Sequence, residues 1–127
     1  MPGLGIGPPT LGWRYDLEEL RTKVTPRTRA ILVNTPHNPT GGVLTRPDLE
    51  AIAALARERD LIVISDEPYE DIVYDGARHV SLAALPEMYE RTVSVFTFSK
   101  SHVMTGLRLG YVVVKNQELR ARVLKLI

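Results

Sequence analysis

The chain contains no cysteine, which excludes a disulfide framework and a thiolate zinc site. Its histidines, His37, His79 and His102, are too scattered in sequence to propose as a metal cluster. No apolar run reaches the roughly eighteen residues of a membrane-spanning helix. The opening stretch MPGLGIGPPT has neither the basic nor the apolar region of a signal peptide. A soluble, cytoplasmic chain with no membrane partner is the resulting expectation. Net charge is nearly absent too: 16 Lys and Arg against 15 Asp and Glu leave +1, which gives no electrostatic case for nucleic acid as a partner. Gly3, Gly5 and Gly7 lack the GxGxxG spacing of a dinucleotide loop, no strand precedes them, and Pro8 and Pro9 deny them a regular helix start. Lysine is scarce. Lys23, Lys115 and Lys125 sit on charged segments or beside element ends, where a solvated amine is expected, whereas Lys100 follows the apolar-rich run TVSVFT.

What is present is an ordinary globular composition, 44% hydrophobic and 24% charged over 127 residues. That is one domain's worth, enough to bury roughly two-thirds of the unfolded surface. Order is expected from Trp13. Asp16 with Glu19 three residues later has the form of a helix start, and Leu17, Leu20 and Val24 then make one apolar face before Pro26. Arg29 to Asn34 reads as a strand, with Ala30, Ile31, Leu32 and Val33 unbroken by polar residues, as expected when both faces are covered. The run TPHNPTGG is a turn. Thr45 caps a helix running to about Arg59, with Pro47 in its first turn and Leu49, Ile52, Ala53 and Ala56 on one side. Leu61 to Ser65 is a second buried strand and Thr92 to Phe96 a third. Between them only an Asp75–Gly76 turn and a short helical piece from Ser81 to Leu85, closed by Pro86, are legible. Leu109 to Val114 is a fourth strand. Asn116 caps a last helix with Leu119, Val123 and Ile127 on one face, and the chain is expected to stop inside it.

The strand ends at Asn34, Ser65 and Phe96 are 31 residues apart, about the length of a βαβ unit. This predicts parallel neighbours joined by crossovers with helices packed on the faces, whereas the fourth strand follows too soon for a full crossover and is expected antiparallel. In such a sheet, ligands gather at the carboxyl ends of the strands. There Asn38, Asp66 with Tyr69, and Lys100 should converge, with Arg108 returning on the next strand. A carboxylate, an amide, a phenol, an amine and a guanidinium in one crevice suit a planar, anionic, nitrogen-containing cofactor with a phosphate, and pyridoxal phosphate answers that description.

NTPHNPTG at 34–41, SDEPYE at 65–70, and TFSK at 97–100 followed by TGLRLGY at 105–111 resemble the fold type I pyridoxal-phosphate enzymes, specifically the class I/II aminotransferases. The resemblance covers roughly residues 13–127. It implies a three-layer α/β/α fold with a mostly parallel sheet, the later half of the family's large, cofactor-binding domain. On that basis residues 1–127 form a truncated large domain, and the small domain is absent. The resemblance further implies that Lys100 is the Schiff-base lysine and moves the substrate proton, and that Asp66 pairs with the ring nitrogen. Asn38 and Tyr69 would hydrogen-bond the ring's phenolic oxygen, while Thr97, Ser99 and Arg108 bind the phosphate. Thr97 departs from the commoner serine but keeps the hydroxyl, Leu107 stands where many relatives have tryptophan, and Pro68 where many have valine or isoleucine.

Taken singly, each residue has an ordinary structural reading. Asp66 could cap a turn, Asn38 could make an Asx-turn, Tyr69 could pack half-buried, Arg108 could pair with a surface acid, and Ser99 could be a turn hydroxyl. His37 and His102 read as turn residues, and Glu67, Glu70 and Asp71 as solvated charges beside the site. The family pattern also implies an upstream glycine-containing phosphate turn, a ring-stacking aromatic and a substrate-carboxylate arginine, none of which is found in these residues, and a homodimeric full-length protein. The expected activity is transfer of an amino group between an amino acid and a 2-oxo acid. The alternatives are a carbon–sulfur lyase on the same fold and the effector-binding, aminotransferase-like domain of a transcriptional regulator.

Overall fold

A computed structural model describes residues 15–126. The readings of the N-terminal glycines, Trp13 and Ile127 fall outside them. Helix α1, Leu17–Lys23, begins where the Asp16 carboxylate accepts the Glu19 N–H at 2.8 Å, and Val24 ends it in extended backbone two residues before Pro26. Strand β1, Ala30–Asn34, leads through the proline-rich turn to helix α2, Arg46–Glu58. Asp48 accepts the Thr45 N–H at 2.9 Å at the start of α2. Pro47 lies in the first turn, where a missing N–H breaks no helical hydrogen bond. Strand β2, Ile62–Asp66, follows, then β3, Thr92–Thr97, the four-residue helix α3, Phe98–Ser101, strand β4, Gly110–Val114, and helix α4, Gln117–Val123.

The sheet order is β1-β2-β3-β4, with the first three strands parallel and β4 antiparallel to β3. Sequential neighbours and the reversed fourth strand are as the spacing predicts. Two details differ. The connection from β2 to β3 contains no α-helix, only short 3-10 turns at Leu82–Ala84 and Tyr89–Arg91. It crosses the sheet nonetheless, because Leu82, Leu85 and Met88 are buried in the core against β1, β2 and α2. In addition α4 ends at Val123, so the chain does not stop inside it.

Side-chain parity decides which face is dry. Ile31 pairs with Val63 and Val33 with Ser65, so these four point to one side, where Leu49, Ile52, Ala53 and Ala56 of α2 and Leu20 of α1 cover them. Each fully buried large aliphatic side chain there contributes about 1.5–3 kcal/mol. The opposite side carries Leu32, Ile64 and Val95. Helix α4 reaches only its far edge, where Val123 and Leu124 line a cleft with Val95, Val112 and Val114. Helices on both faces give the expected three layers, but β1 is not covered on both: Leu32 is 60% exposed, because no described element lies over that end.

Strand β4 depends on one glycine. Gly110 pairs with Thr97, and a Cβ there would stand 2.5 Å from the Phe96 carbonyl oxygen, a backbone atom with no freedom to retreat. Gly110→Ala is therefore expected to push β4 off β3 and lower stability by about 1–3 kcal/mol in denaturant titration. An unchanged midpoint would contradict that close approach.

Candidate active site

The parallel register sets Asn34 directly beside Asp66 and Asp66 beside Val95, so three strand carboxyl ends lie side by side. At about 4.8 Å between neighbouring strands, groups leaving these ends stand close to one another. Asn34 closes β1, and its amide ties the ends together. Its Nδ2 donates to Asp66 Oδ2 at 3.0 Å and to the Asp66 carbonyl at 3.2 Å, while its Oδ1 accepts the backbone N–H of Asn38 at 3.1 Å. The turn that follows is tightened by His37 N–H to Gly42 O and Gly41 N–H to His37 O, both 2.8 Å, with Gly41 at φ 70°, where a side chain is disfavoured. His37 is a turn residue, as expected, with Nδ1 and Thr40 Oγ1 2.8 Å apart.

With the turn's backbone held by Asn34, the Asn38 side chain is free to reach across to the segment after β2. Its Nδ2 donates to the Tyr69 hydroxyl at 3.0 Å, from 31 residues away in sequence. The amide-to-turn role considered for Asn38 thus belongs to Asn34, a residue the sequence reading passed over. The one signal for it is an amide closing an otherwise apolar strand. Lys100 lies in α3, and its Nζ stands over the Tyr69 ring at 5.5 Å from the centroid, within cation–π range. Asn38, Tyr69 and Lys100 are thereby brought together, and Asn34, which holds the Asn38 backbone, links them to Asp66.

The anion-binding candidates differ among themselves. Thr97 caps α3: its Oγ1 accepts the Ser99 N–H at 3.2 Å and donates to the Leu109 carbonyl at 3.4 Å. The Ser99 hydroxyl and the Arg108 guanidinium have no hydrogen-bond partner among the described residues, although the Ser99 carbonyl accepts from Thr105. Phe98 N–H donates to the Leu109 carbonyl at 3.2 Å, which brings Arg108 to the same end of the sheet as Ser99. Arg108 itself sits at φ 51°, ψ 41°. That left-handed conformation costs a non-glycine residue about 1–2 kcal/mol.

Two acids depart from the solvated reading. Glu67 is only 1% exposed, because it shares the core-facing parity of Ser65 while Asp66 points the other way. Glu70 is half-buried, and burial holds its carboxyl above the usual range. Asp71 is exposed, as expected. Burial also raises the Asp66 carboxyl, against the Asn34 hydrogen bond that lowers it, and the charge of Glu67 adds to the rise. Asp66 makes no ion pair among the described residues, so it is a partly desolvated carboxyl suited to receive a cation. Tyr15, whose hydroxyl donates to the Asn34 carbonyl at 2.8 Å, is raised mainly by burial and also by Asp66.

Fold and site together define an α/β domain that gathers a lysine, a carboxylate, an amide and a phenol at the carboxyl end of a mainly parallel sheet. Residues 9–127 match the family model described as aminotransferase class I and II, and the chain belongs to that family. It is 54% identical over 99 residues to the aromatic-amino-acid aminotransferase 2 of Thermococcus litoralis, covering 78% of this chain and 25% of that protein. To an arginine–pyruvate transaminase of Pseudomonas aeruginosa it is 50% identical over 102 residues, 80% of this chain and 26% of the other. Among solved structures, the aromatic aminotransferase from Pyrococcus horikoshii OT3 superposes with a TM-score of 0.81 at 52% identity, covering 84% of this chain and 28% of that one. The N-succinyldiaminopimelate aminotransferase from Mycobacterium tuberculosis does so at 0.83 with 44% identity, over 86% and 28%. The chain thus spans about a quarter of the length of the curated relatives it matches.

An aspartate whose folded-state pKa is raised holds its proton more tightly when folded, so its ionisation opposes folding and stability falls as pH rises through the folded value. Asp66→Asn keeps an acceptor for Asn34 and removes that charge. It is expected to stabilise the cofactor-free protein at pH 7, with the gain shrinking as pH falls towards the ordinary carboxyl value of 3.8. Equal unfolding midpoints at pH 7 would contradict the desolvation of this group.

Proposed function

We propose that the complete protein is a pyridoxal-phosphate-dependent aminotransferase, transferring an amino group between an amino acid and a 2-oxo acid. In this reading the chain is part of its large domain, and the protein works as a cytoplasmic homodimer. The observation that carries the reading is the convergence of Lys100, Tyr69 and Asn38 through a 3.0 Å hydrogen bond and a 5.5 Å cation–π contact, beside the partly desolvated Asp66. When bound, pyridoxal phosphate supplies an electron sink for bonds at the substrate α-carbon.

The chain's residues divide the remaining work. Asp66 would hold the ring nitrogen, its negative charge favouring the protonated form. Because the Tyr69 oxygen accepts from Asn38, the phenol's own hydrogen is left to donate outward, to an anionic ring oxygen. Arg108 and Ser99, whose guanidinium and hydroxyl have no hydrogen-bond partner among the described residues, suit the phosphate, and Thr97 contributes by fixing the start of α3. Lys100 would hold the cofactor through its primary amine, and the same amine would carry a proton to and from the substrate α-carbon. The relatives are named for aromatic amino acids, arginine and N-succinyldiaminopimelate, which supports amino acids as the substrate class.

Borohydride reduction of the complete protein with pyridoxal phosphate, followed by peptide mapping, is expected to leave the reduced adduct on Lys100. An adduct on another lysine, or none, refutes the assignment. Lys100→Ala should lower transamination by about 10²–10⁴-fold or more.

A further inference from the structure

The turn after β2 carries a buried polar cluster that the proposed reaction does not use. The Glu67 carboxylate accepts hydrogen bonds from His79 Nε2 at 2.6 Å and from Ser81 Oγ at 2.8 Å. Ser81 in turn accepts the Ala83 N–H at 3.3 Å and so caps the 3-10 turn at Leu82–Ala84, whose Leu82 is wholly buried in the core. The Glu67 backbone N–H donates to the Val95 carbonyl of β3 at 2.9 Å. Residue 67 is therefore fixed by its main chain to β3 and by its side chain to the irregular crossover. The His79 side chain is itself only 9% exposed, so water does not compete for these bonds.

A hydrophobic side chain of similar volume would fill this place without the cost of dehydrating a carboxylate. A charged group with two dedicated donors does something an aliphatic one does not, which is to fix a single orientation. The residue whose orientation it controls is its neighbour. Asp66 shares a peptide bond with Glu67 and points to the opposite face of the sheet, so anchoring Glu67 on the core side sets the direction of Asp66 on the site side. Asn34 holds the Asp66 carboxylate from the strand on the other side.

We propose that Glu67, His79 and Ser81 form a positioning network that aims the Asp66 carboxylate at its ligand from the far face of the sheet. The network touches neither cofactor nor substrate. It rests on the reading of Asp66 as the partner of the cofactor's ring nitrogen, and it deepens that reading by assigning the residues that make the carboxylate's direction reproducible. It has an electrostatic side as well. Burial pushes the Glu67 carboxyl up, but hydrogen bonding from its neighbours, His79 first and then Ser81 and Ser65, together with the His79 charge outweighs it and holds the group below its usual value. The charge beside Asp66 is thus drawn towards the core by two donors.

The test titrates pyridoxal phosphate into the cofactor-free complete protein, following the absorbance of the bound cofactor, and records Tm without cofactor. Glu67→Ala and His79→Phe are expected to weaken binding about tenfold or more and to shift the absorbance maximum. Glu67→Gln, which keeps an acceptor for His79, should bind within about threefold of the unmodified protein, and Leu49→Ala, a core cut in α2, should lower Tm while leaving affinity and spectrum unchanged. Ser81→Ala removes one donor and leaves the Glu67–His79 pair, so it decides the matter if the larger cuts do not fold; a loss of about threefold is expected. Unchanged affinity and spectrum in the network variants, or losses that follow Tm in Leu49→Ala as well, overturn the proposal. An unmodified protein that fails to bind pyridoxal phosphate overturns the reading beneath it, and the network's role with it.

Discussion

The polar end of this sheet depends on the pairing of Asn34 with Asp66 in the β1–β2 register. That pairing sets an amide beside a partly desolvated carboxyl, and the same amide fixes the backbone of the turn that carries Asn38. Asn38 is then free to hold Tyr69, and Tyr69 lies beneath the Lys100 amine. A chain of short contacts thus runs from one strand end to the next, and a slip of one residue in β2 would send Asp66 into the core and Glu67 out of it.

Stability and chemistry are drawn from opposite parts of the same element. The core face of β1 and β2 is closed by α2 and the buried crossover residues Leu82 and Met88, all apolar and well covered. Towards the carboxyl ends the structure accepts costs that the core does not. Asp66 is raised by burial, and both Val103 and Arg108 take positive φ, at 54° and 51°. For a β-branched residue such as Val103 this is uncommon. Both residues flank the loop that returns from Lys100 to β4; Asp60, Asp75 and Glu87 take positive φ in other turns.

Much of this was legible in advance because it is local. Asp16, Thr45 and Asn116 read as helix caps and are helix caps, and the expected Asp75–Gly76 turn is present, with both residues at positive φ. The antiparallel β4 followed from the short connection after β3. Glu67 was misread because beside Asp66, Glu70 and Asp71 a fourth acid looks like a solvated charge. Strand parity from Ser65 carried the opposite message. Its partner His79, twelve residues away in a segment without periodicity, offered no signal at all.

The sequence by itself determined the elements, the parallel order of the strands and the residues gathered at their ends, since caps, apolar runs and 31-residue spacing are properties of the chain alone. It also carried the family, through three motifs in order. Only the tertiary structure decided how those groups are connected: that Asn34 rather than Asn38 holds the turn, that Thr97 caps α3, that β1 is covered on one face, and that Glu67 is buried under His79 and Ser81. Such facts depend on which atoms come within about 3 Å across strands and crossovers, and hydrogen bonds of that length are set by the packing of distant segments.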